Sequence, residues 1–473
     1  MDFTPTPEQA AARELAAEIF GDLSTPERLA AGGCGTDAAL WKALCAAGLP
    51  GAAEETGLLG LVLMLEEQGR TTAQVPFAAT CVYGLLAIGA HGSAEQRARL
   101  LPPLRTGDAV ATGAFPARRG GVRAEGTAEG TEDGTAAGTK DVLRLDGRSD
   151  PTANGTKDGR SDPADPTADG TGRLTGVVPV VPWLCAATHV LVPDGATRTL
   201  WLVRTDAPGV RWDPVETTAP WSAGRLTLDD APAERLGPDA RAERLGLDAP
   251  AERLGLDAPA ERLGLDAPAE RLGPDAPAER LGPDARAECL APAPSALPHP
   301  ARPAVRDAYA DILALARTAF AGLQAGVAAG SLARAVAHTT TREQFGRPLS
   351  TNQGVLLRAA DAHMDIEAIR LTAYEAAWRR DAGLDAGPHA LTAAWWASEA
   401  GTRVVHTGQH LHGGIGADLD HPVHRHFLWG RQLAGYLGSG AEALEELGEL
   451  LTGERSTPAA RPDQPTRTRT EAP

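Results

Sequence analysis

Apolar positions recur at helical spacing across the first hundred residues. Within 8–20, Leu15, Ala16, Ile19 and Phe20 share one helix face. Residues 58–68 form a second run, which Gly69 is expected to end. Ser93 with Gln96 three residues on reads as a helix cap, the helix running toward Leu101 and closing at Pro102 and Pro103. The pattern then changes. Residues 174–181, 189–192, 199–203, 210–215 and 224–228 are short apolar or β-branched runs. Pro193, Asp194 and Gly195 make a turn between the second and third, so these runs read as strands. From Arg306 the helical period returns, over 307–339, 352–382 and 388–411, with a further helix near 436–451. Such lengths without Pro or Gly clusters predict a helical bundle. The expected fold is α+β and multi-domain: an N-terminal helical domain, a middle antiparallel β domain and a C-terminal helical bundle.

Two stretches lack any packing period. Residues 120–170 are rich in Gly, Thr, Asp and Ala and read as a disordered insertion. A nine-residue repeat starts at Ala231, with close copies from Ala240, Ala249, Ala258, Ala267 and Ala276 and a degenerate one from Ala285. Such a period raises a solenoid. Each unit, however, offers one steady Leu, and most carry a Pro. That is too little apolar surface to offset the entropy of ordering the chain, so a linker is expected. The tail is rich in Pro, Thr and Arg. The expected boundaries are a helical domain at 1–112, a β domain at 113–235 and a repeat linker at 236–302. A four-helix-bundle domain at 303–455 and a disordered tail at 456–473 complete the chain.

Composition narrows the function classes. A net charge of -17 and a pI near 5.2 argue against a nucleic-acid binder, which needs clustered Lys and Arg. Aromatics are only 4%, so Ala, Leu and Val must do most of the packing. Cys34, Cys45, Cys81, Cys185 and Cys289 are scattered and form no C-x-x-C pair. Reduced thiols in a cytoplasmic protein are expected, not a disulfide framework or a zinc site. His412 and His424 lack clustered carboxylates or further spaced ligands, so no metal is expected. The N-terminus shows no signal-peptide pattern, and no run approaches the ~20 apolar residues that span a bilayer.

Three segments carry a family resemblance. Residues 335–349 read AVAHTTTREQFGRPL, with Gln353 following. Residues 409–416 read QHLHGGIG, and residues 63–70 read LMLEEQGR. In this order they resemble the R-x-x-F-G-x-P-x-x-x-x-Q, Q-x-H-G-G-x-G and Glu-Glu-x-Gly-Arg segments of acyl-CoA dehydrogenases. The family's second Gln falls on His410, with Gln409 one place early. Residues 176–192 and 207–210 also fit. The resemblance covers nearly all of the chain outside 120–170, 240–300 and the tail. It implies FAD at a subunit interface, met by these segments from a neighbouring chain, and so a homo- or hetero-oligomer. The implied cofactor-binding residues are Arg342, Phe345, Gln353, Gln409, His410, Gly413, Gly414, Gly416 and Ser439.

Residue chemistry points the same way. Arg342 offers fixed donors suited to a pyrophosphate. Phe345 and Gly346 end the helix and let backbone approach a ligand. The glycines allow a sharp turn whose bare N–H groups face an anion. Gln353, and either Gln409 or His410, could hydrogen-bond a cofactor edge. Taken singly, Arg342 reads as a helix-surface charge, Gly413 with Gly414 as a plain turn, and Trp395 with Trp396 as core or interface filler.

The implied reaction is α,β-dehydrogenation of an acyl-CoA thioester to the trans-2-enoyl-CoA, with electrons passing to an electron-transferring flavoprotein. Flavin carries the redox step, and a carboxylate must lie within reach of the proton removed. Most of the family places that Glu in a Y-E-G-T segment, fifteen residues after the Pro of a P-V/I-x-x-x-x-R-D stretch. Fifteen residues after Pro422 stands Leu437, between Tyr436 and Gly438, with Ser439 for Thr. Leu cannot take a proton. Leu428 and Trp429 replace Arg-Asp. The other family position, a helix ahead of Arg342, has no Asp or Glu over 313–330, and Asp311 just before it is a poor candidate. Residues 112–118, TGAFPAR, replace the family's Thr-Glu-Pro…Gly-Ser-Asp segment. The catalytic residue is therefore unknown. Three outcomes are open. A partner subunit supplies the base, as in actinobacterial-type members acting on sterol side chains, which the stretch ending Phe427, Leu428, Trp429 resembles. Glu442 or Glu445 swings in. Or the chain is a non-catalytic flavin-binding or structural subunit. The first is favoured.

Overall fold

The computed structural model describes residues 3–31, 35–117, 121–124, 170–237 and 307–452. Nearly all of the expected insertion at 120–170 lies outside the described residues, as do the repeat beyond Gly237, the tail at 456–473, Cys34 and Cys289.

Thr6 starts α1 (Pro7–Leu23) through a capping box with Gln9, and Pro7 sits where no helical N–H is needed. Helices α2 (Pro26–Ala31), α3 (Ala38–Ala46) and α4 (Leu49–Glu55) lead to α5 (Gly57–Thr71), buried along most of its length. The Asp381 carboxylate accepts the N–H groups of Leu58 and Leu59 at 2.8 and 2.9 Å. A side chain from the C-terminal part thus caps α5. Gly69 does not end α5 but lies inside it. A Cβ at Gly69 would stand 2.2 Å from the Leu323 carbonyl oxygen, so close contact demands the glycine. After α6 (Phe77–Ala79) a π-helical segment, Thr80–Leu86, widens the chain before α7 (Ala87–His91) and α8 (Ala94–Thr106). The Ser93–Gln96 capping box is present. The helix runs on through Pro102 and Pro103, anchored by buried Leu101 and Leu104, and stops at left-handed Gly107.

The strands are β1 (Ala111–Gly113), β2 (Arg123–Ala124), β3 (Thr171–Val181), β4 (His189–Pro193), β5 (Leu200–Arg204), β6 (Val210–Pro214) and β7 (Gly224–Arg235). They form one sheet in the order β1-β4-β5-β7-β3-β2, with β6 also paired to β7. The expected antiparallel sheet is mixed by one edge: β1 runs parallel to β4. β1 enters directly from α8, so no hairpin turn forces an antiparallel start. β7 is longer than the period suggests. The first repeat unit, expected in the linker class, supplies its second half: Ala231 and Ala233 face inward alternately, and Leu236 is buried after them.

Helices α9 (Ala308–Thr341), α10 (Gln353–Asp381), α11 (Gly387–His412) and α12 (Pro422–Tyr436) pack up-down-up-down, and α13 (Gly440–Thr452) follows. The helix expected near 436–451 is present as α13, but it starts at Gly440, after a break at Leu437 and Gly438 (φ 110°) that separates it from α12. α9 is the spine of the molecule. Gly322, Gly326 and Gly330 recur every four residues and lie against Val62, Glu66 and Arg70 of α5. By length and composition α9 could cross a membrane, which the expectation of no such run overlooked. Its most apolar window is 89% buried in the protein, so it is a core helix. One apolar core joins the N-terminal helices, α9 and the sheet's Trp183 and Trp221; a second lies within the sheet.

Candidate functional site

Arg342 caps the C-terminus of α9 in extended backbone and is exposed. The helix ends before Phe345 and Gly346, which instead form a hairpin turn between β8 (Glu343–Gln344) and β9 (Arg347–Pro348). Both have positive φ, 53° and 75°, as a tight two-residue hairpin requires. A phenylalanine there is strained. Its side chain is nonetheless 99% exposed. Gln353 opens α10 behind its Asn352 cap and is also exposed.

Facing this hairpin end, α11 stops at His412, and Gly413 (φ 66°) turns the chain into the short helix Gly413–Ala417. A Cβ on Gly413 or Gly414 would meet nothing within 4 Å, so their backbone is open to a ligand. Gln409 donates to the Gly416 carbonyl at 3.1 Å and braces the turn, while His410 is exposed. His412 stacks on His338 of α9 at 4.7 Å between ring centroids and meets His421 at 4.9 Å. Burial, then the neighbouring His412, holds the His338 and His421 imidazoles below their usual pKa. This stack joins the α9 and α11 ends. It gathers Arg342, Phe345, Gln353, Gln409, His410, Gly413, Gly414 and Gly416 at one end of the bundle.

Ser439 lies elsewhere. It follows α12 at the opposite end, beside Leu437. Phe320 of α9 packs on Tyr436 at 4.8 Å. From Phe320 to Arg342 the helix rises roughly 33 Å at about 1.5 Å per residue. One chain therefore separates the predicted cofactor residues into two places.

At the Leu437 end a cavity of about 380 Å³ opens between sheet and α12, lined by Ala114, Phe115, Pro116, Val178, Gln432 and Tyr436 among others. Aromatic rings pack around it. Phe115 stacks between Tyr83 at 5.3 Å and Tyr309 at 5.5 Å. The Tyr83 and Tyr436 hydroxyls share a 3.0 Å hydrogen bond. Sequence reasoning singled out none of Tyr83, Phe115, Tyr309 or Phe320. The one available signal was Phe115 with Pro116, where a polar segment was expected. The π-helical segment that carries Tyr83 has no readable period.

Among the described residues, Tyr83, Tyr436, Glu442, Glu446 and Asp311 are each held in a state or contact unsuited to a base. Burial pushes both phenols, Tyr83 and Tyr436, well above their usual range, so they stay protonated. Leu437 is buried. Glu442 accepts the Ser439 N–H at 2.6 Å and caps α13. Glu446 is clamped by Arg317 at 3.0 and 2.6 Å. Glu445 is exposed. Burial raises the Asp311 pKa, but hydrogen bonds and charge from His91 and Arg380 outweigh it and hold the carboxyl ionised.

His426 of α12 is fully buried, with its ring nitrogens 3.1 Å from the Arg70 carbonyl and 3.3 Å from that of Pro422. Burial dominates those contacts and pushes its pKa down to about 4. The unfolded chain then takes up a proton that the folded chain refuses. Stability should fall as pH drops from about 6.5 toward about 4, by about 1.4 kcal/mol per unit from this residue. Melting curves at pH 7 and pH 5 check it: His426→Gln should show a shallower pH dependence than the parent, whatever its absolute stability.

Comparison with known proteins supports one reading. Residues 307–449 match the family model described as acyl-CoA dehydrogenase, C-terminal domain, and residues 6–108 match the acyl-CoA dehydrogenase N-terminal domain. Acyl-CoA dehydrogenase FadE27 of Mycobacterium tuberculosis is 42% identical over 153 residues, a match spanning 31% of this chain and 39% of that protein. Among solved structures, a Tcur3481-Tcur3483 steroid ACAD variant superposes with a TM-score of 0.67 at 34% identity, covering 94% of this chain and 98% of its own. The ChsE4-ChsE5 complex from Mycobacterium tuberculosis gives a TM-score of 0.68 at 26% identity, covering 96% of this chain and 100% of that chain. The two helical parts and the chain as a whole agree: the protein belongs to the acyl-CoA dehydrogenase family.

Proposed function

We propose that the chain is one subunit of a heteromeric FAD-dependent acyl-CoA dehydrogenase, forming a trans-2-enoyl-CoA with a base supplied by its partner. The carrying observation is Leu437, a buried side chain that cannot take a proton, with Glu442 engaged by the Ser439 N–H and Glu446 by Arg317. The split of the cofactor residues supports the same reading. Arg342 and the Gly413 turn lie at one end of the bundle and would serve a neighbouring chain's flavin. Phe345 is fully exposed, and Leu356, Leu357, Met364 and Leu371 of α10 are each more than half exposed. A partner surface would cover such apolar groups. Two related structures carry paired names, Tcur3481-Tcur3483 and ChsE4-ChsE5.

Bound FAD would supply the hydride acceptor. Arg342 would clamp its pyrophosphate, with the bare N–H groups of Gly413 and Gly414 facing the same anion. Phe345 would pack on the cofactor, and Gln353 and His410 would bond its edges. Gln409 and Gly416 would hold the turn. Ser439 would serve the pocket beside Leu437. The apolar cavity beside Phe115 and Tyr436 would take the acyl group and exclude water from it. An electron-transferring flavoprotein would reoxidise the enzyme in the cytoplasm, where Cys45, Cys81 and Cys185 are free thiols.

The test is co-purification. The chain is made alone and with the product of the adjacent reading frame carrying a Tyr-Glu-Gly-Thr segment. Flavin absorbance and acyl-CoA turnover with an artificial acceptor are then recorded. The pair should be yellow and active, and a Gln in place of the partner's Glu should abolish turnover. Turnover by the chain alone would overturn the proposal. A yellow pair whose activity survives that Gln would do the same.

A further inference from the structure

Two helices end where the cofactor residues gather. α9 stops at Thr341 and α11 at His412. Both present their carbonyl ends, which carry partial negative charge. The whole chain is also acidic, with a net charge of -17. An anion seated here is repelled by both, so cations on the last turns decide how firmly it is held. Arg342 is the fixed cation. The titratable groups are imidazoles: His338 on α9, His410 and His412 on the last turn of α11, and His421 ahead of α12.

Three of these rings form one group. His338 stacks on His412 at 4.7 Å, and His421 meets His412 edge-on at 4.9 Å. Two of the three are committed. His412 Nδ1 donates to the Gly408 carbonyl at 2.7 Å. His421 Nδ1 accepts the Val423 N–H at 3.2 Å and caps α12, so a proton on that nitrogen would break the cap. His338 has no such duty. Among the described residues no hydrogen bond reaches its ring, which is half-buried.

The charges around the stack are mostly positive. Arg342 and His412 act on His338. His412, Arg334 and His338 act on His421, with Asp418 opposing them. Glu27 of α2 acts on Arg334. Burial first, then these charges, keeps His338 and His421 below the usual histidine pKa and so uncharged at neutral pH.

We propose that this end of the bundle takes its anion together with a proton: His338 becomes imidazolium as the cofactor pyrophosphate seats beside Arg342. The inference rests on the placement of FAD given above. A nearby anion favours the charged imidazole, and by linkage the proton favours the anion. Rings 4.7 Å apart resist charging together, so the stack takes at most about one proton. The sign follows. Above the pKa of the occupied site neither state holds the proton, and below that of the empty site both do. Between the two, flavin affinity rises as pH falls, by up to about tenfold per pH unit. Arg342 alone would give no such slope, because a guanidinium stays charged throughout.

Calorimetry tests it. The assembled complex is stripped of flavin and titrated with FAD at about pH 6.5, in buffers of low and high ionisation enthalpy. The parent should take up roughly half to one proton per flavin. Its FAD dissociation constant should fall at least about threefold from about pH 7.5 to about pH 6. Binding heats independent of buffer, or an affinity that is flat or weaker at the lower pH, overturn the proposal, and neither measurement needs a variant. His338→Gln should take up no proton and lose the pH dependence. His421→Asn, which keeps a capping side chain, should take up as much as the parent. Uptake that survives in His338→Gln overturns the assignment to that ring. Flavin bound without proton uptake fails this inference and leaves the proposed cofactor site standing; a complex that binds no flavin fails both.

Discussion

Gly326→Val is expected to leave the chain insoluble, with a loss of about 4 kcal/mol or more. At Gly326 even a Cβ would stand 2.0 Å from the Glu66 carbonyl oxygen and 2.7 Å from its carbonyl carbon. The obstacle is helix backbone, which cannot rotate away as a side chain can. Gly322 and Gly330 make the same approach one turn to either side, so the two helices can separate only along the whole seam. Separation would unpack a shared core that contains Val62, Leu65, Leu323 and Val327. A domain is stable by only about 5–15 kcal/mol, so this loss is decisive. Gly21→Ala is the control. A Cβ at Gly21 of α1 meets nothing within 4 Å, and alanine should raise stability by a few tenths to about 1 kcal/mol. Soluble yield and melting temperature measure both. A Gly326→Val protein melting with the parent would show that the α5–α9 contact is looser than described.

That seam also shows where sequence reading stops. The alternation of helical, strand and helical blocks was legible because periods of 3.6 and 2 differ along a single strip of chain. The Ser93–Gln96 box was legible because all its partners lie within four residues. Gly69 looked like a helix stop because its reason, the Leu323 carbonyl, comes more than 250 positions later. β7 was cut short because Pro232 and the repeat disguised an alternating strand. The cofactor segments were readable as motifs, but not their grouping. Arg342 and Gly413 share one end of the bundle because α9 and α11 run parallel and His338 stacks on His412; Ser439 is remote because α12 runs the other way. Phe115 and Tyr436 line the cavity and Tyr83 and Tyr309 pack behind them, residues that no local pattern connects.

Arg342→Ala should strip flavin from the assembled enzyme without unfolding the chain. Arg342 is exposed beyond the last turn of α9, and its backbone N–H already donates to the His338 carbonyl at 2.8 Å. Removing the side chain therefore leaves the helix end intact, and the melting temperature of the isolated chain should be unchanged. Toward a pyrophosphate the loss is larger. A hydrogen bond between charged groups contributes about 1.5–3 kcal/mol, so FAD affinity should fall about 10- to 150-fold. The readout is flavin retained per complex after desalting. Arg342→Lys keeps the charge but not the planar fork, and should fall between alanine and the parent. Arg97→Ala, on the exposed face of α8, should leave flavin content unchanged. Unaltered flavin in Arg342→Ala would remove the hairpin end from the cofactor site. The exposed Phe345 and the open Gly413 turn would then belong to a protein interface alone. A uniform loss with the partner chain dissociating would point the same way, because flavin would then depart as a consequence of assembly. Arg342→Ala that keeps the partner and loses the cofactor is the outcome that the placement of Arg342 across from Gly413 and Gly414 requires.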